Sequence, residues 1–148
     1  MKFVDRFFEA KMITLTNLQL DAIFAHANEA KPDECCGLIG GRDNKALSTY
    51  PLHNVAPNPH LAYEAASDDL FAAQRQMRER DEQLIAIYHS HPRSAEPFPS
   101  QTDVRLAYYP QAVYFIVGFD AGRPVMRAFH ISERDELWQE VEYAIADE

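Results

Sequence analysis

The chain has 148 residues, room for one ordinary domain and not for two. Hydrophobic residues make up 47% and charged residues 25%, which excludes a largely disordered chain. With 14 Lys+Arg against 23 Asp+Glu the net charge is −9, so a broad basic face for nucleic acid is excluded as well.

The charge is uneven. Residues 133–148 carry seven acids and one base, Arg134, so that this end accounts for −6 of the total. It reads as a solvated acidic end, with steering of a basic partner as the sharper alternative. The two cysteines, Cys35 and Cys36, are adjacent and suit no disulfide framework, which points to a reducing compartment. No apolar run approaches the ~20 residues of a membrane span. Residues 1–11 interleave acids with aromatics and lack the apolar stretch of a signal peptide. The expectation is a cytoplasmic protein with an N-terminal extension over 1–11 and one domain over 12–148.

Thr16 with Gln19 forms a capping-box pattern, and Leu20, Ile23, Phe24 and Ala27 recur at helical spacing. A helix is predicted over about 16–30, ended by Pro32. The glycine-closed run Cys35–Gly41 predicts a buried strand, and 46–52 a second. Residues 53–63, with Asn54, Pro57, Asn58 and Pro59, predict an irregular loop. Ser67-Asp68-Asp69 predicts the cap of a helix running to about 82, its acids favoured by the helix dipole.

Leu84-Ile85-Ala86-Ile87-Tyr88 predicts a central strand that runs into His89-Ser90-His91-Pro92. A proline-rich loop, 92–99, leads to a helix opening at Ser100 to Asp103. Strands are predicted at 113–117 and 123–131. The end fits either a helix (Leu137, Val141, Ile145) or a strand (Val141, Tyr143, Ile145), and the strand is preferred. Interleaved strands and helices with short connections predict an α/β sandwich around one mixed sheet.

His89 and His91 sit two apart at a strand end, so both imidazoles point to one face and Ser90 to the other. Two such nitrogens can hold zinc, and Asp103 at the next helix start is well placed as a carboxylate ligand. Three protein ligands leave a fourth position for water, the mark of a catalytic site. Singly, each feature has a plain structural account: a chance His-x-His, a Ser100 cap with Asp103 in the first turn, a strand stopped by Pro92. Length excludes the ~250-residue barrel of the amidohydrolases. A zinc deaminase would need His-x-Glu and Cys-x-x-Cys, and this chain has neither at the site. A histidine-triad hydrolase would need a third alternating His where Arg93 stands.

Together, Glu34, His89-Ser90-His91-Pro92 and Ser100-Gln101-Thr102-Asp103 resemble the motif of the JAMM (MPN+) metalloprotease family. Glu34-Cys35-Cys36-Gly37-Leu38 and Asn54-Val55-Ala56-Pro57-Asn58-Pro59 resemble its compact prokaryotic branch, and the likeness covers about 13–131. The resemblance implies an α+β, cytidine-deaminase-like fold. It implies that His89, His91 and Asp103 hold one Zn²⁺, that Glu34 is general base and then general acid, and that Ser100 donates to the developing oxyanion.

The implied function is zinc-dependent hydrolysis of an amide, isopeptide or thioester bond at the Gly-Gly tail of a ubiquitin-like sulfur-carrier protein. The alternatives are an isopeptidase on ubiquitin-like conjugates and a metal-free scaffold that only binds partners. One departure stands out: the loop from His91 to Asp103 is one residue longer than the usual pattern. That is cheap for stability but bears on the position of Asp103 and on the substrate groove. Cys35 and Cys36 read as small buried hydrophobes, and His26 and His130 as structural or solvated. His53 and His60 lie in the Pro/Asn loop and could approach the site, though nothing in the sequence argues for it. Tyr63 and Phe98 suit either core packing or a substrate channel.

Overall fold

The structure is a computed structural model that describes residues 12–146. The N-terminal extension expected at 1–11 lies outside the described residues. The elements in chain order are β1 (Ile13–Thr16), α1 (Asn17–Ala30), β2 (Cys36–Arg42), β3 (Lys45–Leu52), α2 (Ser67–Glu79), β4 (Gln83–Ser90), α3 (Gln101–Arg105), β5 (Val113–Asp120), β6 (Arg123–Ser132), β7 (Leu137–Val141) and β8 (Tyr143–Ala146). No helix among the described residues is long and apolar enough to cross a membrane.

The eight strands form one mixed sheet in the order β7-β6-β5-β4-β2-β3-β1-β8. β4 runs parallel to β5 and antiparallel to β2, so the strand that carries the histidines is central and paired on both sides. β7 and β8 occupy opposite edges, yet only Glu142 separates them in the chain. Two residues of extended chain reach about 7 Å. The sheet is therefore curled until its edges nearly meet. The Tyr143 hydroxyl spans that junction by donating to the Met126 carbonyl at 2.9 Å.

Alternation along the strands divides the core into two faces. On β5, Val113, Phe115 and Val117 pack with α1 through Ile23 and Ala27. Tyr114 and Ile116 turn the other way, towards Ala73 and Met77 of α2 and Val104 of α3. Each fully buried side chain of this size stabilises the fold by about 1.5–3 kcal/mol. β4 follows the same rule: Tyr88 faces the first cluster and Ile87 the second. His89 continues the Ile87 face.

The capping box at Thr16 forms as expected, with Gln19 N–H donating to Thr16 Oγ1 and Gln19 Oε1 accepting from Thr16 N–H. Three expectations need correction. The first turn of α2 contains Ser67, Asp68 and Asp69, and its cap is Ala66, which offers no side-chain bond. Asp69 instead accepts from the backbone N–H of His53 at 2.7 Å, tying the helix start to the loop before it. That helix stops at Glu79 rather than 82, with Asp81 already at φ +57°. The C-terminal end is two strands on two different edges, and the short strand β1 went unread.

Candidate metal centre and active site

The two histidines converge because β4 holds them. His89 is its penultimate residue, and His91 extends the pairing by donating its N–H to the Val117 carbonyl at 2.7 Å. Their Nε2 atoms lie 3.2 Å apart. Asp103 closes the triangle, with Oδ1 3.1 Å from His89 Nε2 and Oδ2 3.0 Å from His91 Nε2. Bonds of about 2.0–2.1 Å in a tetrahedron set neighbouring ligand atoms about 3.3 Å apart. The residues present therefore fit a divalent metal, and the donor set of two imidazoles and a carboxylate is of the right kind.

Asp103 is held in place by the start of α3. Its N–H donates to Ser100 Oγ at 3.0 Å, and its Oδ2 accepts from Ser100 N–H at 2.9 Å. The plain reading of Ser100 and Asp103 as a helix start is thus correct. The same capping box also aims the carboxylate at the histidines. Because Ser100 Oγ accepts from the backbone, its own proton is free to be donated elsewhere.

The loop from His91 to Ser100 leaves Asp103 beside both histidines. Ser94 accepts from Phe119 N–H at 2.8 Å, which pins the loop to β5. Gly118 makes that approach possible, since a Cβ there would strike the Ser94 carbonyl. Further along, Phe98 stacks on Trp138 with ring centres 5.6 Å apart and meets Phe129 edge-on. Phe98 is therefore an anchor of the loop and not a channel wall.

Glu34 lies two residues before β2 and is only 8% exposed. Its backbone is clamped on both sides. Glu34 N–H donates to the Pro59 carbonyl at 2.8 Å, and its carbonyl accepts from Asn54 Nδ2 at 2.9 Å. Ser90, on the opposite face from the imidazoles, accepts from Cys35 N–H through Oγ at 2.8 Å. The chain carrying Glu34 is thereby tied to the strand carrying the histidines. Glu34, His60, Leu61, His91, Arg93 and Ser100 line one cleft of about 280 Å³.

The electrostatics follow from burial and proximity. Burial pushes the Glu34 carboxyl above the usual carboxylate range, against the pull of His89 and His91. Burial opposes a charged His89, but Asp103 outweighs it and raises the imidazole. Burial likewise opposes ionisation of Asp103, yet His89 and His91 hold it well below the ordinary range.

The family profile described as prokaryotic homologs of the JAB domain matches residues 18–132. The chain belongs to that family. This JAB domain is 35% identical over 115 residues to the CysO-cysteine peptidase of Mycobacterium tuberculosis, across 76% of this chain and 77% of the relative. It is 35% identical over 118 residues to a probable TtuB-protein conjugate cleaving protease of Thermus thermophilus, across 80% of this chain and 75% of the relative. The solution structure of a Desulfitobacterium hafniense protein superposes with a TM-score of 0.80 at 33% identity, covering 93% and 94% of the two chains.

The structure also gives roles around the site to residues of the JAB domain for which the sequence assigned none. Asn54 makes five side-chain hydrogen bonds that organise the loop behind Glu34. An asparagine in a Pro/Asn loop was visible, but its partners were not. Tyr63 stacks on His89 with ring centres 4.7 Å apart, so it buttresses the imidazole. His60 joins the cleft, whereas His53 turns to Asp69 and His26 to the Tyr88 hydroxyl. Cys35, Cys36 and His130 are buried, as small or structural residues of the core.

Proposed function

We propose that this JAB domain is a zinc-dependent hydrolase that cuts the bond following the Gly-Gly tail of a ubiquitin-like sulfur-carrier protein. The observation that carries the reading is the convergence of His89, His91 and Asp103 at 3.0–3.2 Å, with Glu34 and His91 lining one cleft. The peptidase and the conjugate-cleaving protease among its relatives support the bond class and the kind of partner. Two imidazoles and one carboxylate suit zinc among the divalent metals.

Zinc in such a site supplies Lewis acidity and lowers the pKa of water to about 7. Glu34 takes the proton of the attacking water and delivers it to the leaving atom. Its raised pKa suits both halves of that task near neutral pH. Ser100 donates its free hydroxyl proton to the oxygen of the reacting carbonyl. A tail without bulky side chains can lie extended in a narrow cleft.

An isopeptidase acting on protein conjugates is the second reading, favoured by the name of the Thermus relative. A metal-free scaffold fits poorly with a complete ligand triangle. The test is hydrolysis of a Gly-Gly-terminated carrier extended by one residue or linked to a lysine, followed by mass spectrometry with and without added zinc. Zinc-dependent release after Gly-Gly is expected. A zinc-loaded protein that cleaves neither substrate would overturn the reading.

A further inference from the structure

The cleft holds a cation that this chemistry does not use. Arg93 lies two residues past His91 and lines the cleft with Glu34, His91 and Ser100. It makes no hydrogen bond or ion pair with any described residue. Arg127 is paired with Glu140, whereas exposed arginines such as Arg75 and Arg123 also lack a side-chain partner among the described residues; what distinguishes Arg93 is that it lines this cleft. Of the two histidines lining the cleft, His91 belongs to the ligand group and His60 lies 3.7 Å from Asp33. Among the described residues, the exposed Arg93 is the cation of the cleft without a protein anion.

The side of the site that Arg93 occupies can be assigned from proton transfer. Glu34 must reach the leaving atom to protonate it, so the leaving group sits in the cleft that Glu34 lines. If that group is a single amino acid, its α-carboxylate is two bonds from the leaving nitrogen. A carboxylate in this cleft meets the planar fork of a guanidinium, the side chain suited to bind it. An isopeptide leaving group is a lysine side chain, which brings methylenes and no carboxylate. The cleft, at about 280 Å³, has room for one residue beside the tail.

Resting on the hydrolase reading above, we propose that Arg93 binds the α-carboxylate of the leaving residue and so sets a preference for a free terminal carboxylate over an isopeptide. The water oxygen adds to the carbonyl carbon and the C–N bond to the last residue breaks. Both water protons end on the departing amine, one of them through Glu34. The tail leaves as a carboxylate and the amino acid as an ammonium.

The test compares two forms of one substrate in the zinc-loaded full chain. A Gly-Gly-terminated ubiquitin-like carrier extended by one cysteine is prepared with a free C-terminal carboxylate and with a carboxamide. The wild type is expected to favour the free acid by about 10- to 100-fold in kcat/KM, the range of one charge-assisted contact. Arg93→Ala is expected to bring that ratio close to one, chiefly by raising KM for the free acid, and Arg93→Lys to retain part of it. The ratio is internal to each protein, so a general loss of activity does not move it. Equal rates on both forms in the wild type, or a ratio preserved in Arg93→Ala, would overturn the assignment of Arg93 alone. Cleavage of neither form would overturn the hydrolase reading and this assignment with it.

Discussion

Asn54 holds the main chain of Glu34: its Nδ2 donates to the Glu34 carbonyl at 2.9 Å and also reaches the carbonyls of Pro59 and Ala62. Its Oδ1 accepts from Ala56 N–H and Glu64 N–H at 3.0 Å each. One side chain thus shapes the loop and sets the height of the carboxyl above the cleft. Asn54→Ala removes all five bonds, and Asn54→Asp keeps only the two acceptors. A misplaced base lowers kcat more than it raises KM, by about 10- to 100-fold. The check is a double-mutant cycle with Glu34→Ala, metal content being followed alongside. If Asn54 acts through Glu34, its substitution has little further effect on the residual rate of Glu34→Ala. Additive losses would mean a structural role only.

In the proposed reaction Glu34 trades stability for function. Its folded-state pKa is raised, first by burial. From the unfolded carboxyl range of about 4.3 upward, the folded chain binds more protons than the unfolded one, so stability falls as pH rises through the folded value. Glu34→Gln removes that loss. Urea unfolding of the metal-free protein is expected to show the variant more stable than wild type at pH 7, with the gap closing below about pH 4. Turnover is expected to fall by about 10²- to 10⁴-fold with metal content unchanged. A variant less stable at pH 7 would refute the burial argument.

Asp103 is one corner of the proposed ligand triangle and is itself held by Ser100. Asp103→Ala is expected to reduce zinc from about one ion per chain to a small fraction, measured by inductively coupled plasma mass spectrometry after gel filtration. Treatment of the wild type with a chelator is expected to lower its Tm. A ligand present at 100 times its Kd stabilises by about 2.7 kcal/mol. Full zinc content in the variant would show that the metal sits elsewhere.

The adjacent thiols should be silent in the folded protein. Burial pushes Cys35 up to about 11 and Cys36 up to about 12. Both stay protonated at neutral pH, so alkylation by iodoacetamide is expected to wait for unfolding. The unfolded chain ionises them from about pH 8.5, and the stability they allow is lost as pH rises from there towards 11–12. Rapid labelling of the native chain at pH 8 would contradict this.

Much of this organisation was legible locally. The capping box at Thr16, the Ser100 cap with Asp103 in the first turn, the glycine-closed run at 35–41 and the two-residue spacing of His89 and His91 are short-range patterns, and backbone geometry alone translates them. Elements whose stability comes from distant partners were harder to read. β1 has four residues and is a strand because β8 and β3 flank it. The tail alternates through Val141, Tyr143 and Ile145, but the break at Glu142, which sends β7 and β8 to opposite edges, depends on the curl of the whole sheet. The start of α2 is fixed by His53 meeting Asp69 across 16 positions, not by its own residues.

The sequence by itself determined the chemistry this protein carries: two imidazoles on one face of a strand, a carboxylate at the next helix start, and a family pattern joining them to Glu34. Those are matters of residue type and short spacing, which secondary structure preserves. Only the tertiary structure decided the closing distances. It bent the loop from His91 to Asp103 around Gly118 and Phe98 so that Asp103 meets both histidines. It turned Asn54 and Ser90 inward to hold the chain on either side of Glu34, and it left Arg93 in the cleft without a partner among the described residues. Contacts between residues far apart in the chain depend on how the sheet curls and which faces are buried, and no local pattern encodes that.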